Sequence, residues 1–124
     1  MPDLASSAEP ARLDAIFFAL SDARRRDMIE RLSEGALSVK EIAGPLHLAL
    51  PSAVKHLGVL EDARIVHSEK TGRVRTFRLS PTAFRDVEKW VAERKRVLNL
   101  QFDRLDEFLA RSEGDETEEP DAQR

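Results

Sequence analysis

Apolar residues recur along the chain at two different spacings, and the change from one to the other outlines the architecture. Leu13, Ile16, Phe17 and Leu20 fall at three- and four-residue steps, the repeat of a helix with one buried face. Ser21-Asp22 then supplies capping oxygens for a second helix carrying Met28, Ile29 and Leu32, which Gly35 ends. Ser38-Val39-Lys40-Glu41 fits the S-x-x-E capping box, in which serine and glutamate satisfy each other's orphan backbone donors, so a short third helix starts at Val39 and stops near Pro45. A fourth helix is predicted over Leu50–Ala63. On its wheel Leu50, Ala53, Leu57 and Leu60 share the core side, Pro51, Ser52, Lys55 and Asp62 lie opposite, and Val54 and Gly58 flank. The spacing then shortens to that of strands in Ile65–Lys70 and Arg73–Leu79, joined through Thr71-Gly72 as a hairpin with basic residues at its tip.

Ser80-Pro81 places a capping residue ahead of proline at a first helical position, and neither proline nor glycine recurs before Gly114, so one long helix is predicted. Phe84, Val87, Val91, Leu98, Phe102, Leu105 and Leu109 form its apolar stripe, flanked by Trp90 and Phe108 and broken by Arg94. At ~1.5 Å per residue, ~30 residues reach ~45 Å, more than a domain of this size can cover by itself. A second copy of the chain is the expected cover, with Ile16 and Phe17 of the first helix alongside.

Length and composition narrow the classes. The 124 residues fit one domain, and 41% hydrophobic content is too high for a wholly disordered chain. With Cys 0, disulfides, thiolate metal sites and cysteine nucleophiles are closed. The longest apolar run, Ala15–Leu20, is six residues against the ~20 of a membrane helix, and Met1-Pro2-Asp3-Leu4 does not resemble an export signal, so a cytoplasmic protein without a membrane partner is expected. The formal net charge of −3 conceals an uneven distribution: residues 112–124 hold six acids and one base, whereas Ser38–Leu79 holds seven bases and four acids. The expected organisation is a flexible leader over 1–11, a folded domain over 12–111 and an acidic disordered tail over 112–124.

Three helices, a basic hairpin and a long helix are the order of a winged helix-turn-helix, a mainly α (α+β) fold. An α-helix fits the ~12 Å major groove of DNA, and a preceding short helix braces it across the backbone. Val39–Gly44 would brace and Leu50–Ala63 would read, with Lys70, Arg73 and Arg75 of the wing reaching phosphate or the minor groove. Phe18-Ala19-Leu20-Ser21-Asp22-Ala23-Arg24-Arg25, Leu50–Glu61 and Lys70–Leu79 resemble the corresponding stretches of the ArsR-type winged-helix repressors, and the likeness extends over roughly Leu13 to Leu109. That resemblance implies a homodimeric repressor on a near-palindromic double-stranded DNA operator, its subunits paired through the first and last helices. It also implies groove-facing roles for Leu50, Pro51, Val54 and Lys55, with Ser52 and His56 beside them. Lys40 on the bracing helix completes the candidate DNA-contacting set, and Ile16, Phe17, Val87, Val91, Leu98, Phe102, Leu105 and Leu109 are the candidate dimer set.

Departures from the family pattern carry their own expectations. Ala49 stands where a capping serine or threonine is frequent, and Leu50 where a glutamine able to read adenine is frequent, which favours apolar contact with thymine methyls. His47 and Arg64 replace glycines that commonly end helices and are expected in left-handed backbone conformations. The metal-sensing cysteines of the family's founders would fall in Ser38–Leu46, which has none, and the last helix lacks the histidines of the alternative sensor site. No metal or cofactor is therefore indicated, and the inducer is an organic ligand, a protein antagonist or nothing at all.

Other readings of single residues compete. Arg24-Arg25-Arg26 could touch phosphate, but at a helix start it opposes the dipole and reads rather as solvated or ion-paired, His56 as a phosphate contact or a packing residue, and His67 as structural. His47, His56 and His67 have no recognised metal spacing. No nucleophile-base pairing or phosphate-cradling glycine loop is legible, so an enzyme is not expected. A sequence-specific transcriptional repressor acting by operator occlusion is the reading; the alternative is a winged helix kept as a protein-interaction module.

Overall fold

The computed structural model describes residues 2–123, with side chains described over 11–114. The helices are α1 (Pro2–Leu20), α2 (Ala23–Leu32), α3 (Val39–Ala43), α4 (Leu50–Asp62) and α5 (Arg85–Gln123); the strands are β1 (Leu37–Ser38), β2 (Val66–Thr71) and β3 (Val74–Leu79). They divide into two compact units, residues 1–87 and residues 88–124, the second being the greater part of α5. The expected leader and acidic tail fall largely on positions outside the residues described in side-chain detail. No helix among the described residues is long and apolar enough to cross a membrane.

The local signals act as their chemistry requires. The Asp22 side chain accepts from the Arg24 backbone N–H at 2.8 Å and caps α2. Ser38 and Glu41 form the reciprocal capping box of α3, with Ser38 N–H donating to Glu41 Oε1 at 2.9 Å and Glu41 N–H donating to Ser38 Oγ at 3.3 Å. These bonds hold both carboxyls below their ordinary pKa values: for Glu41 mainly the Ser38 backbone donor, for Asp22 mainly that of Arg24.

The sheet is antiparallel in the order β1-β3-β2, with Leu37 opposite Phe77 and the hairpin in register from Val66↔Leu79 to Thr71↔Val74. Its two-residue loop has positive φ at Gly72 (64°) but not at Arg73, the II′ pattern in which glycine is free of the Cβ clash. Beneath the sheet, Met28, Ile42, Leu57, Leu60, Ile65, Val66 and Phe77 form one core shared by α2, α3, α4 and the hairpin. Ile16 and Ala19 extend it to α1.

Two elements differ from expectation. β1 is absent from the pattern reading because two residues carry no period. The last helix begins at Arg85 and not at Pro81: residues 81–84 form tight turns, Ala83 N–H donating to the Ser80 carbonyl at 3.0 Å and Arg85 N–H to that of Thr82 at 3.2 Å. These turns tuck Ala83 into the core with Phe84 against it.

Candidate nucleic-acid interface

Two helix endings place α4. After α3, His47 adopts φ 55°, its N–H donates to the Gly44 carbonyl at 3.0 Å, and Leu48 N–H donates to that of Ala43 at 3.1 Å. After α4, Arg64 adopts φ 61°, its N–H donates to the Glu61 carbonyl at 2.9 Å, and Ile65 N–H to that of Leu60 at 3.0 Å. Both are Schellman endings that ordinarily use glycine. The first turns the chain from α3 into α4, the second from α4 into the hairpin, and both expected left-handed residues are in place. Ala49 is the N-cap of α4 and makes no side-chain capping bond, and Leu50 and Pro51 follow it, so the N-cap residue leaves the positive end of this helix dipole without a capping oxygen.

In front of that end lies a groove of about 470 Å³ lined by Ser38, Val39 and Lys40 from the start of α3, Leu50 and Val54 from α4, and Arg73, Val74 and Arg75 from the wing. The fold thus brings Lys40, Leu50, Val54, Arg73 and Arg75 of the expected contact set to one concavity, with three cations and no carboxylate in its lining. Arg75 is oriented from below: its Nη1 donates to Ser68 Oγ at 2.9 Å, which donates to Glu61 Oε2 at 2.7 Å, linking wing to α4. Leu50 departs from its wheel position. As the first residue of α4 it stands beyond the packed span and is 43% exposed in the groove, while Ala53, Leu57 and Leu60 are buried as expected.

The remaining expected residues are distributed around this groove. Pro51, Lys55 and Lys70 are exposed and Ser52 is half-buried. His56 is half-buried, its Nδ1 3.2 Å from Arg25 Nη1. Because guanidinium only donates, Nδ1 is the acceptor in that contact. Among the described residues no three histidines or carboxylates gather as a metal site.

Arg25 is the structural residue that the sequence reading missed. It is only 7% exposed, donates from Nε to the Ala19 carbonyl at 2.7 Å and from Nη2 to the Phe18 carbonyl at 2.9 Å, and lies 5.1 Å from the Phe18 ring centroid. Arg26 Nη1 similarly reaches the Leu20 carbonyl at 2.6 Å. The arginines at the start of α2 therefore cap the C-terminal carbonyls of α1, where cations oppose the negative end of that helix's dipole. Arg25 goes further and ties α1 to α4 through His56.

Of the expected dimer residues, Ile16 is 2% exposed and belongs to the core of its own chain, and Val87 packs against the same core. Phe17 is exposed, as are Val91, Leu98, Phe102, Leu105 and Leu109 of α5 with Trp90 and Phe108 beside them. Arg94 in this band stacks its guanidinium over Trp90 at 5.4 Å from the ring centroid.

A short bracing helix, a second helix turned from it by a left-handed residue, and a two-stranded wing define a winged helix-turn-helix domain. No protein-family model matches the sequence. The HTH-type transcriptional regulator Rv2034 of Mycobacterium tuberculosis is 41% identical over 69 residues, covering 56% of this chain and 64% of that protein, just under two thirds of its length. The transcriptional repressor SdpR of Bacillus subtilis is 27% identical over 79 residues, covering 64% of this chain and 88% of that protein. The crystal structure of an ArsR family transcriptional regulator superposes with a TM-score of 0.69 at 42% identity, covering 73% of this chain and 93% of that one. The chain belongs to the ArsR family of transcriptional regulators.

Proposed function

We propose that the protein is a dimeric, sequence-specific DNA-binding repressor that acts by occluding its operator. The observation that carries this reading is the groove at the start of α4, where an uncapped helix N-terminus and three cations from α3 and the wing surround an apolar wall. Phosphate is the natural partner for the cations and the helix end, and base edges for the wall. Repression matches the activity named for the Bacillus relative. Dimerisation rests on α5, whose Val91, Leu98, Phe102, Leu105 and Leu109 form an exposed apolar stripe that a second α5 covers around a two-fold axis. Two reading helices about one turn of DNA apart, ~34–36 Å, then enter successive major grooves of a near-palindromic site. Lys55 and Ser52 serve this reading as base contacts, and Lys70, Arg73 and Arg75 as backbone contacts.

A gel shift against DNA from around its own gene, titrated with salt, tests the reading. Specific retardation that survives physiological salt is expected. Weak, sequence-blind binding that salt abolishes marks instead a winged helix kept for protein interactions.

A further inference from the structure

The reading end of α4 has an unusual chemistry for a surface that distinguishes bases. Leu50 and Val54 are 43% and 54% exposed, and Val74 of the wing, 53% exposed, lines the same groove. Adenine is ordinarily read by the paired donor and acceptor of asparagine or glutamine. Neither residue type occurs anywhere between Ser38 and Leu79. Within the groove, Ser38 already accepts the capping bond from Glu41, and the other polar side chains are Lys40, Arg73 and Arg75. The wall that Leu50, Val54 and Val74 give this groove is therefore aliphatic.

From these observations we infer that the groove recognises the C5-methyl groups of thymine, with Leu50 and Val54 as specificity-determining residues and Val74 closing the apolar wall from the wing side. The inference rests on the DNA-binding reading above. In the major groove thymine alone among the unmodified bases projects a methyl, so an aliphatic pocket rimmed by cations discriminates a T·A pair at the positions it covers, apart from the base pairs that Lys55 and Ser52 contact through hydrogen bonds. Lys40, Arg73 and Arg75 hold the backbone on either side and set the depth to which the helix enters. Leu50 at the bare N-terminus and Val54 one turn later lie on one side of α4, so they meet neighbouring base pairs.

Sites enriched from random duplex DNA by the full-length protein are resynthesised with one thymine at a time replaced by deoxyuridine, which removes the methyl and keeps every hydrogen-bonding group. Binding is followed by fluorescence anisotropy at fixed salt. One or two positions in each half-site are expected to weaken binding roughly fourfold per methyl, the effect of losing one buried carbon, with no change in salt dependence. In Val54→Ser and Leu50→Ser, both exposed positions whose folding is checked by circular dichroism, the thymine and deoxyuridine sites are expected to bind alike. Enriched sites indifferent to every replacement overturn the inference and leave the DNA-binding reading standing. A pool with no enriched sequence overturns both.

Discussion

Replacing Arg25 by methionine keeps a long apolar stem and removes every donor, so it deletes the capping bonds to α1 together with the Phe18 stacking and the His56 contact. The Phe18 carbonyl retains the Ser21 N–H at 3.1 Å and the Ser21 hydroxyl at 2.6 Å and is not orphaned by the change. Ala19 is 0% exposed and its carbonyl loses the 2.7 Å bond from Nε, which no second side chain among the described residues replaces. An unsatisfied buried carbonyl costs about 1–3 kcal/mol, and the lost stacking on Phe18 adds about 0.5–1 kcal/mol. Release of a buried cation from its desolvation penalty offsets part of this. A net loss of about 2–3 kcal/mol is a sizeable share of the 5–15 kcal/mol that small domains have in total. Urea unfolding followed by far-ultraviolet circular dichroism, at one protein concentration, reads the difference directly. Arg24→Met is the control: that side chain is exposed and only its backbone N–H serves the Asp22 cap, so the change should stay within about 0.5 kcal/mol. Equal, small effects from the two substitutions would refute the capping argument.

Arg73→Ala is expected to weaken binding to operator and random DNA alike and to lower the slope of log affinity against log salt by about 1, as loss of one phosphate contact requires. Arg75→Ala should do the same and also release Ser68 and Glu61, measurable as added mobility of the wing by amide exchange. Glu41 and Asp22 have carboxyls held below their ordinary pKa values, so their capping stabilises the fold above the normal carboxylate range and is lost as pH falls through the depressed values. Glu41→Gln with Asp22→Asn should therefore flatten the stability profile on the acid side, below about pH 4.5, and leave it unchanged in slope near neutrality. Leu98→Asp should produce monomers in sedimentation and abolish operator binding, although residue 98 lies outside the reading helix and wing.

Features decided within a few residues are legible in the sequence. The Ser38–Glu41 capping box, the Asp22 cap and the hairpin about Gly72 depend on neighbours in the chain, and their signals are chemical. The left-handed His47 and Arg64 followed from family resemblance, and the Schellman bonds around them supply the physical reason. Arg25 was not legible because its partners lie six, seven and thirty-one residues away, and an arginine at a helix start looks the same whether it is solvated or buried. Leu50 was misplaced by its wheel because periodicity says which side of a helix faces inward but not where along the axis the core stops. Pro81 satisfied the rule for a helix start, yet burial of Ala83 favoured tight turns there. In the groove, the residue types were readable and their convergence was not, since Lys40, Val54 and Arg73 meet only after the chain has turned twice.

Hydroxyl-radical footprinting of the full-length protein on a site enriched from random DNA tests the central claim most directly, because it reports on DNA contact, dimer symmetry and spacing together. The account predicts two patches of protection related by a two-fold axis and one helical turn apart, about 10–10.5 base pairs between centres, with matching sequence in the two half-sites. A single unsymmetrical patch, or protection spread evenly along the duplex, would contradict a dimeric reader of paired major grooves.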